Sequence, residues 1–258
     1  MSARKPVVVV TGASKGIGLA VTAILLHKFN TYVIGLARSR TEALDALSSD
    51  SLLFVPCDVA DEAALTNAIT RAKETFHHID GLVLNAAALD PLCRIGDSTP
   101  LAAWQTHFNI NFFSLVTALR AALPSLRQSE LGGRVVFISS GAAVKGNSGC
   151  GPYNASKAAM NSLCRTLAEE EPGIVSVAIR PGKVNTEMQA KLRDEGQLYM
   201  AKAAHDVFTN AYAENMLVKP EDCGHVIAAL ALKAPEHLSG QFLSWESEDC
   251  RPFRKEQT

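Results

Sequence analysis

Residues Lys5 to Gly18 read KPVVVVTGASKGIG, and the architecture follows from them. The first half, Lys5 to Thr11, is a short, mostly apolar run of the kind buried on both faces of a parallel sheet. It passes directly into Gly12-Ala13-Ser14-Lys15-Gly16-Ile17-Gly18, then into a helical pattern with Ile17, Val21, Ile24 and Leu25 on one side. Strand, glycine turn and helix in that order is the context a dinucleotide site requires. Glycines let backbone amides approach a pyrophosphate, which then sits at the positive helix N-terminus. The spacing is G-x-x-x-G-x-G rather than the common G-x-G-x-x-G. No Lys-Ser/Thr pair follows the last glycine, so a nucleotide-triphosphatase loop fits poorly. A purely structural turn is the alternative; its place after the first strand speaks for a ligand.

The same alternation continues outward. Thr31 to Ala37, Leu52 to Cys57, Gly81 to Leu84, Val135 to Ile138, Ile174 to Ile179 and Gln241 to Trp245 read as six further strands. Between them lie the amphipathic stretch Asp61 to Phe76, the long helical pattern Trp104 to Leu123, a helix from Pro152, and a helix from Lys219-Pro220 through Leu232. Strands alternating with helices imply an α/β fold, one doubly wound sheet of seven parallel strands forming a single domain over residues 1–258. Gln189 to Met216 is polar and broken in pattern and reads as short helices over the site, a substrate lid. Within the long pattern, Asn109 and Asn111 are poor helix-interior residues because their amides compete for backbone bonds. One of them interrupts the helix for a reason, or the two are a surface polar pair.

Chemistry concentrates in VVFISSGAAVKGNSGCGPYNASKAA, Val135 to Ala159. Ser139 and Ser140 sit where the strand stops, a glycine-rich loop follows to Gly151, and Pro152 suits the first turn of a helix. Tyr153 and Lys157 are four residues apart, so they share a face of that helix. An ammonium beside a phenol favours phenolate, and lowers a pKa of about 10 toward the working range of an acid–base catalyst. Ser140 is expected to face the same space. A Tyr and a Lys at this spacing occur by chance in many helices, so the pair gains its meaning from the nucleotide loop and basic residues elsewhere.

The second strand ends in Arg38, twenty residues after Gly18, where an NAD enzyme usually carries an acidic residue for the ribose hydroxyls. A guanidinium clamps a 2′-phosphate instead, and Lys15 adds a second positive charge. The alternative is two solvated surface charges; the missing acid favours NADP(H). Asp58, ending the third strand, is placed to meet the adenine. The small residues of Asn85-Ala86-Ala87-Ala88 let backbone pass close to a cofactor, and Arg180-Pro181-Gly182 breaks the chain at the end of the sixth strand, with Thr186 just beyond.

The 258 residues are 47% hydrophobic and 20% charged, as in an ordinary globule, and a formal net charge of -1 gives no global field toward nucleic acid or an anionic membrane. No run approaches the roughly 20 apolar residues that span a bilayer. The start, MSARKPVVVVTG, does not read as a secretory signal, and the tail RPFRKEQT reads as polar. Six scattered cysteines without a C-x-x-C pair suit buried thiols in a reducing cytoplasm. Seven histidines show no metal-ligand spacing, so no metal site is expected, and His77 and His78 read as a solvated helix end.

Over nearly the whole chain these motifs resemble the short-chain dehydrogenase/reductase family. The glycine spacing, Asn85-Ala86, Asn111, Ser140, Tyr153-x-x-x-Lys157 and Pro181-Gly182 occur in that family's order. More narrowly, SSGAAVK, the EEEP turn at Glu169 to Pro172 and GQFL near the end look like fungal benzil reductases, relatives of sepiapterin reductase that reduce one carbonyl of a diketone. The resemblance implies a single Rossmann-type domain and reduction of a small-molecule carbonyl with NADPH. It makes Tyr153 the proton donor, Lys157 the group that lowers its pKa and bonds the nicotinamide ribose, and Ser140 the holder of the substrate oxygen. Asn111 would anchor a water leading protons to Lys157. Gly12, Ser14, Lys15, Gly16, Ile17, Gly18, Arg38, Asp58, Asn85, Pro181, Val184 and Thr186 complete the implied cofactor site, and pairing through the Pro152 and Trp104 helices implies a homo-oligomer. Two departures bear on local cofactor geometry: Leu84-Asn85-Ala86-Ala87 stands for Asn-Asn-Ala-Gly, and Ser114 for a common glycine. An NAD-linked alcohol dehydrogenase and a non-catalytic nucleotide sensor on the same fold are the rivals.

Overall fold

The apolar runs become the strands of one parallel sheet: β1 Val7–Thr11, β2 Tyr32–Ala37, β3 Leu52–Pro56, β4 Gly81–Leu84, β5 Gly133–Ile138, β6 Ile174–Arg180 and β7 Phe242–Ser244. Their order is β3-β2-β1-β4-β5-β6-β7, every pairing parallel. The structure, a computed structural model, describes residues 4–255. The expectations for the first residues of MSARK and the last of RPFRKEQT therefore lie partly outside the described residues.

Helices connect the strands: α1 Gly16–His27, α2 Glu42–Asp45, α3 Glu62–Phe76, α4 Leu101–Phe108, α5 Ser114–Leu126, α6 Gly151–Glu170, α7 Glu187–Glu195, α8 Lys202–Ala213 and α9 Pro220–Lys233. Val7, Val8, Val9 and Val10 are all 0% exposed, because side chains alternate across a strand and helices cover both faces. Val7 and Val9 join the core under α3, α5 and α6; Val8 and Val10 join the one under α1 and α9. The strand order reverses between β1 and β4, and at such a switch point the carboxyl ends of the strands open a crevice for ligand.

The long helical pattern divides. A π-helical turn, Asn109–Phe113, separates α4 from α5 and contains the buried Asn111. Such turns are concentrated at functional sites, so the interruption expected from the asparagines is real. The short helices expected over 189–216 start two residues earlier, at Glu187, because Thr186 caps α7 by accepting from the Gln189 amide. Two surface assignments need correction. His78 is half-buried with Nε2 3.4 Å from the Asp80 carboxylate, and only His77 is a solvated helix end. Phe253, in the tail read as polar, is buried in the core under α9.

Candidate active site

Three glycines shape the turn after β1. Gly12 has φ 69°, and a Cβ there would stand 2.8 Å from Asn85 Nδ2 and 3.0 Å from Ala86 Cα. At Gly18 a Cβ would fall 2.1 Å from the Gly12 carbonyl. The spacing is therefore demanded by the turn itself. Asn85 pins it from the next strand, donating to the Thr11 carbonyl at 2.9 Å and the Gly12 carbonyl at 3.2 Å. The first turn of α1 carries no acidic residue, so its positive end is free to meet an anion. A turn whose three glycines carry no Cβ, over an uncompensated helix N-terminus, fits a dinucleotide pyrophosphate.

Every candidate site residue read from the sequence except Gly18 and Asn111 borders one cleft, which runs from this loop to Tyr153. Gly18 stands behind the loop as the point of close contact. Asn111 stands behind Ala88, with Oδ1 accepting from the Ala88 amide at 2.7 Å and Nδ2 donating to its carbonyl at 2.9 Å. Arg38 and Asp58 are exposed on the wall beyond β2 and β3. Lys15 reaches across the mouth instead, forming an ion pair with Glu187 at the start of α7. Thr186 lies against Gly16, its Cγ2 3.2 Å from where a Cβ would be. The cleft is thus closed over by the segment from Pro181 to α7.

At the far end, α6 is docked on the tip of β5. Lys157 Nζ donates to the Ile138 carbonyl at 2.6 Å, and the Ser139 hydroxyl to Asn161 Oδ1 at 2.6 Å. This sets Tyr153 beside Ser140, whose hydroxyl accepts from the Ala142 amide at 3.1 Å. Lys157 Nζ lies 5.6 Å from the Tyr153 ring centroid, so the shared helix face is as expected.

The electrostatics are not as expected. Burial pushes the Tyr153 phenol up to about 12, with the neighbouring Ser140 hydroxyl working in the opposite direction. Burial also pushes Lys157 down to about 7. The helix spacing alone predicts a phenol lowered by its ammonium neighbour. Desolvation wins because both groups sit where little water reaches them, and it disfavours each charged form. The site therefore holds a phenol that keeps its proton and an amine that titrates near neutrality.

Beyond Tyr153 the wall turns apolar. Leu89, Cys150, Met188, Leu192 and Phe208 border the cleft and belong to one packed cluster under α7 and α8. Of these, Met188, Leu192 and Phe208 on α7 and α8 carried no signal in the sequence beyond polarity and broken pattern. Among the described residues no group of His, Cys, Asp or Glu is arranged to hold a metal ion, and no helix is long and apolar enough to cross a membrane.

Comparison with known proteins adds to this geometry. A family model described as short chain dehydrogenase matches residues 6–197. An uncharacterized oxidoreductase of Schizosaccharomyces pombe is 39% identical, covering 93% of this chain and 96% of its own. A Saccharomyces cerevisiae protein named benzil reductase ((S)-benzoin forming) is 34% identical over 96% of this chain and 98% of its own. A crystal structure of a short chain dehydrogenase/reductase from Saccharomyces cerevisiae matches with a TM-score of 0.91 at 34% identity, covering 97% of this chain and 100% of that one.

Proposed function

Because this chain belongs to the short chain dehydrogenase family, we propose that it is an NADPH-dependent carbonyl reductase, converting a ketone or diketone to a hydroxyl with Tyr153 as proton donor. The observation that carries the reading is the position of Tyr153. Its phenol stands beside Ser140 where the glycine-loop cleft meets the apolar pocket, and burial keeps it protonated. A proton donor for reduction must begin with its proton in place.

A nicotinamide cofactor would lie along the loop from Gly12 to Gly18 and the walls at Arg38, Asp58, Asn85, Pro181, Val184 and Thr186, and would supply the hydride. The chain's own residues do the rest. Ser140 and Tyr153 hold the carbonyl oxygen by hydrogen bonds that strengthen as charge develops on it. Tyr153 then gives up its proton to that oxygen. Lys157, in its ammonium form, stabilises the phenolate left behind, and its titration near neutrality suits it to return a proton. Asn111, which holds the Ala88 backbone behind this group, would anchor a water leading protons to Lys157.

The apolar pocket of Leu89, Met188, Leu192 and Phe208 favours an aryl or alkyl carbonyl over a charged or heavily hydroxylated one. The reading also makes the protein a homo-oligomer, supported by an uncovered apolar face: Leu101 is 71% and Phe113 54% exposed beside Trp104 and Phe108. It puts the enzyme in the cytoplasm, which six buried free thiols support. One observation favours a second reading, the NAD-linked alcohol dehydrogenase. Lys15 is engaged by Glu187, so a 2′-phosphate must compete with a carboxylate for it. A sensor has no need of a buried proton donor.

Consumption of NADPH with a panel of aryl diketones, simple ketones and pteridine carbonyls tests the proposal. Turnover of at least one of them, faster with NADPH than with NADH, is expected. Oxidation of alcohols by NAD+ with no NADPH-linked reduction would transfer support to the second reading.

A further inference from the structure

His107, in the last turn of α4, is 1% exposed, and both ring nitrogens are engaged. Nδ1 lies 2.6 Å from the Asp90 carbonyl. Nε2 lies 2.9 Å from Asn111 Nδ2 and 3.0 Å from the Ser156 hydroxyl. A carbonyl oxygen only accepts, so Nδ1 carries the proton. An amide nitrogen only donates, so Nε2 must be bare. The two ends of the ring independently require the same neutral tautomer. The orientation of Asn111 is itself fixed, since the Ala88 amide must donate to Oδ1. With Ala88 and His107 as acceptors, both amide hydrogens of Asn111 are used.

The ring also touches the helix of the proton donor. Ser156 lies between Tyr153 and Lys157 on α6, and the His107 ring meets the Tyr153 ring edge-on at 6.3 Å. We propose that His107 is a positioning residue: a neutral imidazole of fixed tautomer that locks Asn111 and the π-helical turn to the helix bearing Tyr153 and Lys157. The lock stands on geometry alone; its effect on turnover rests on the functional reading above.

Protonation breaks the Asn111 side of the lock, because a new Nε2–H would face the Asn111 N–H. It could then donate only to the Ser156 hydroxyl, whose proton goes to the Tyr153 carbonyl at 3.0 Å. Burial holds the ring neutral, pushing its pKa below the ordinary 6.5, and Lys157 pushes the same way; the Asp90 carbonyl and carboxylate oppose them. Of these neighbours, Asp90 is paired with Lys191 at 2.7 Å. Between the folded and ordinary values the unfolded chain binds more protons, so stability falls as pH falls through that window.

The test has two arms. Nitrogen-15 NMR of histidine-labelled protein, with His107 assigned by its loss in His107→Gln, reads the tautomer directly. A protonated Nδ1 and bare Nε2 at pH 8, titrating only below the ordinary 6.5, is expected. An Nε2–H tautomer, or an imidazolium at pH 7, would overturn the lock. In the second arm His107→Leu, which cannot accept, should lower kcat by up to about 100-fold with the cofactor KM little changed, as for a displaced catalytic group. His107→Gln, whose Oε1 can accept from Asn111, should recover most of that loss and remove the acid limb of the kcat profile. Parent-like kcat and pH profile in His107→Leu would contradict the positioning role; should that variant not fold, a His107→Gln kcat profile that keeps the parent's acid limb contradicts it. If the parent reduces no carbonyl, the functional reading fails while the NMR arm still decides the lock.

Discussion

Lys157 holds its Nζ 5.6 Å from the centroid of the Tyr153 ring while donating at 2.6 Å to the Ile138 carbonyl. One buried amine thus joins the end of β5 to the helix that carries the phenol, and burial shifts the two groups oppositely, Lys157 down and Tyr153 up. Each is held toward its uncharged form. Function at such a site is expected to come at a cost in stability.

That cost is measurable. Lys157 falls from 10.5 to about 7 on folding, so between those values the unfolded chain binds more protons and stability rises with pH. Lys157→Met removes this cost. Ile138 borders the cleft, so water can satisfy its freed carbonyl. The variant should lose turnover yet melt several degrees higher at pH 7, where about 1 kcal/mol corresponds to roughly 2–4 °C. The advantage should shrink toward pH 10. Thermal melts across pH 6–10 decide it; a lower Tm at pH 7, or a difference independent of pH, contradicts the account.

Arg38 is exposed on the cleft wall, where a guanidinium can clamp a 2′-phosphate. Charge-assisted bonds contribute about 1.5–3 kcal/mol, on the order of ten- to a hundred-fold in affinity. Arg38→Asp should weaken NADPH by at least that factor and leave NADH nearly unchanged, with the parent's preference shrinking as salt rises. Specificity constants for both cofactors, in parent and variant, check this. An unchanged ratio makes Arg38 a surface charge only.

Glu187 competes for Lys15. The pair is exposed, and exposed pairs contribute about 0–1 kcal/mol, so releasing it gives at most a few-fold. Glu187→Gln should therefore tighten NADPH two- to five-fold, about what that energy allows, without tightening NADH. Fluorescence titration of both cofactors reads this out. Equal changes for the two would show that Lys15 takes no part in the choice.

The strands, the glycine turn and the interruption at Asn111 were legible in the sequence because each depends on neighbours along the chain. Val7 to Val10 are apolar whatever covers them, and Gly12 and Gly18 answer to one local turn between β1 and α1. What escaped depends on distance. Glu187 meets Lys15 across 172 residues, and His107 meets Ser156 across 49. The direction of the Tyr153 shift was misread because spacing on a helix gives the partner but not the water that burial removes. Phe253 escaped because four of the residues around it in RPFRKEQT are charged, which masks a single core side chain.

The apolar face at Leu101, Trp104, Phe108 and Phe113 bears on assembly, as do the exposed Ala155 and Ala158 of α6. The parent should run in light scattering as a multiple of 27.6 kDa, and Phe113→Glu, which places a charge on that face, should shift it toward the single chain. A parent that is already monomeric at micromolar concentration contradicts the oligomer.

The central claim is that Tyr153 is the proton donor of a carbonyl reduction, and Tyr153→Phe tests it most directly, since the ring stays and only the hydroxyl goes. With NADPH and the carbonyl that the parent reduces fastest, kcat should fall by roughly 10²–10⁴-fold, while NADPH binding measured by fluorescence stays within a few-fold. Turnover within a few-fold of the parent would contradict the account.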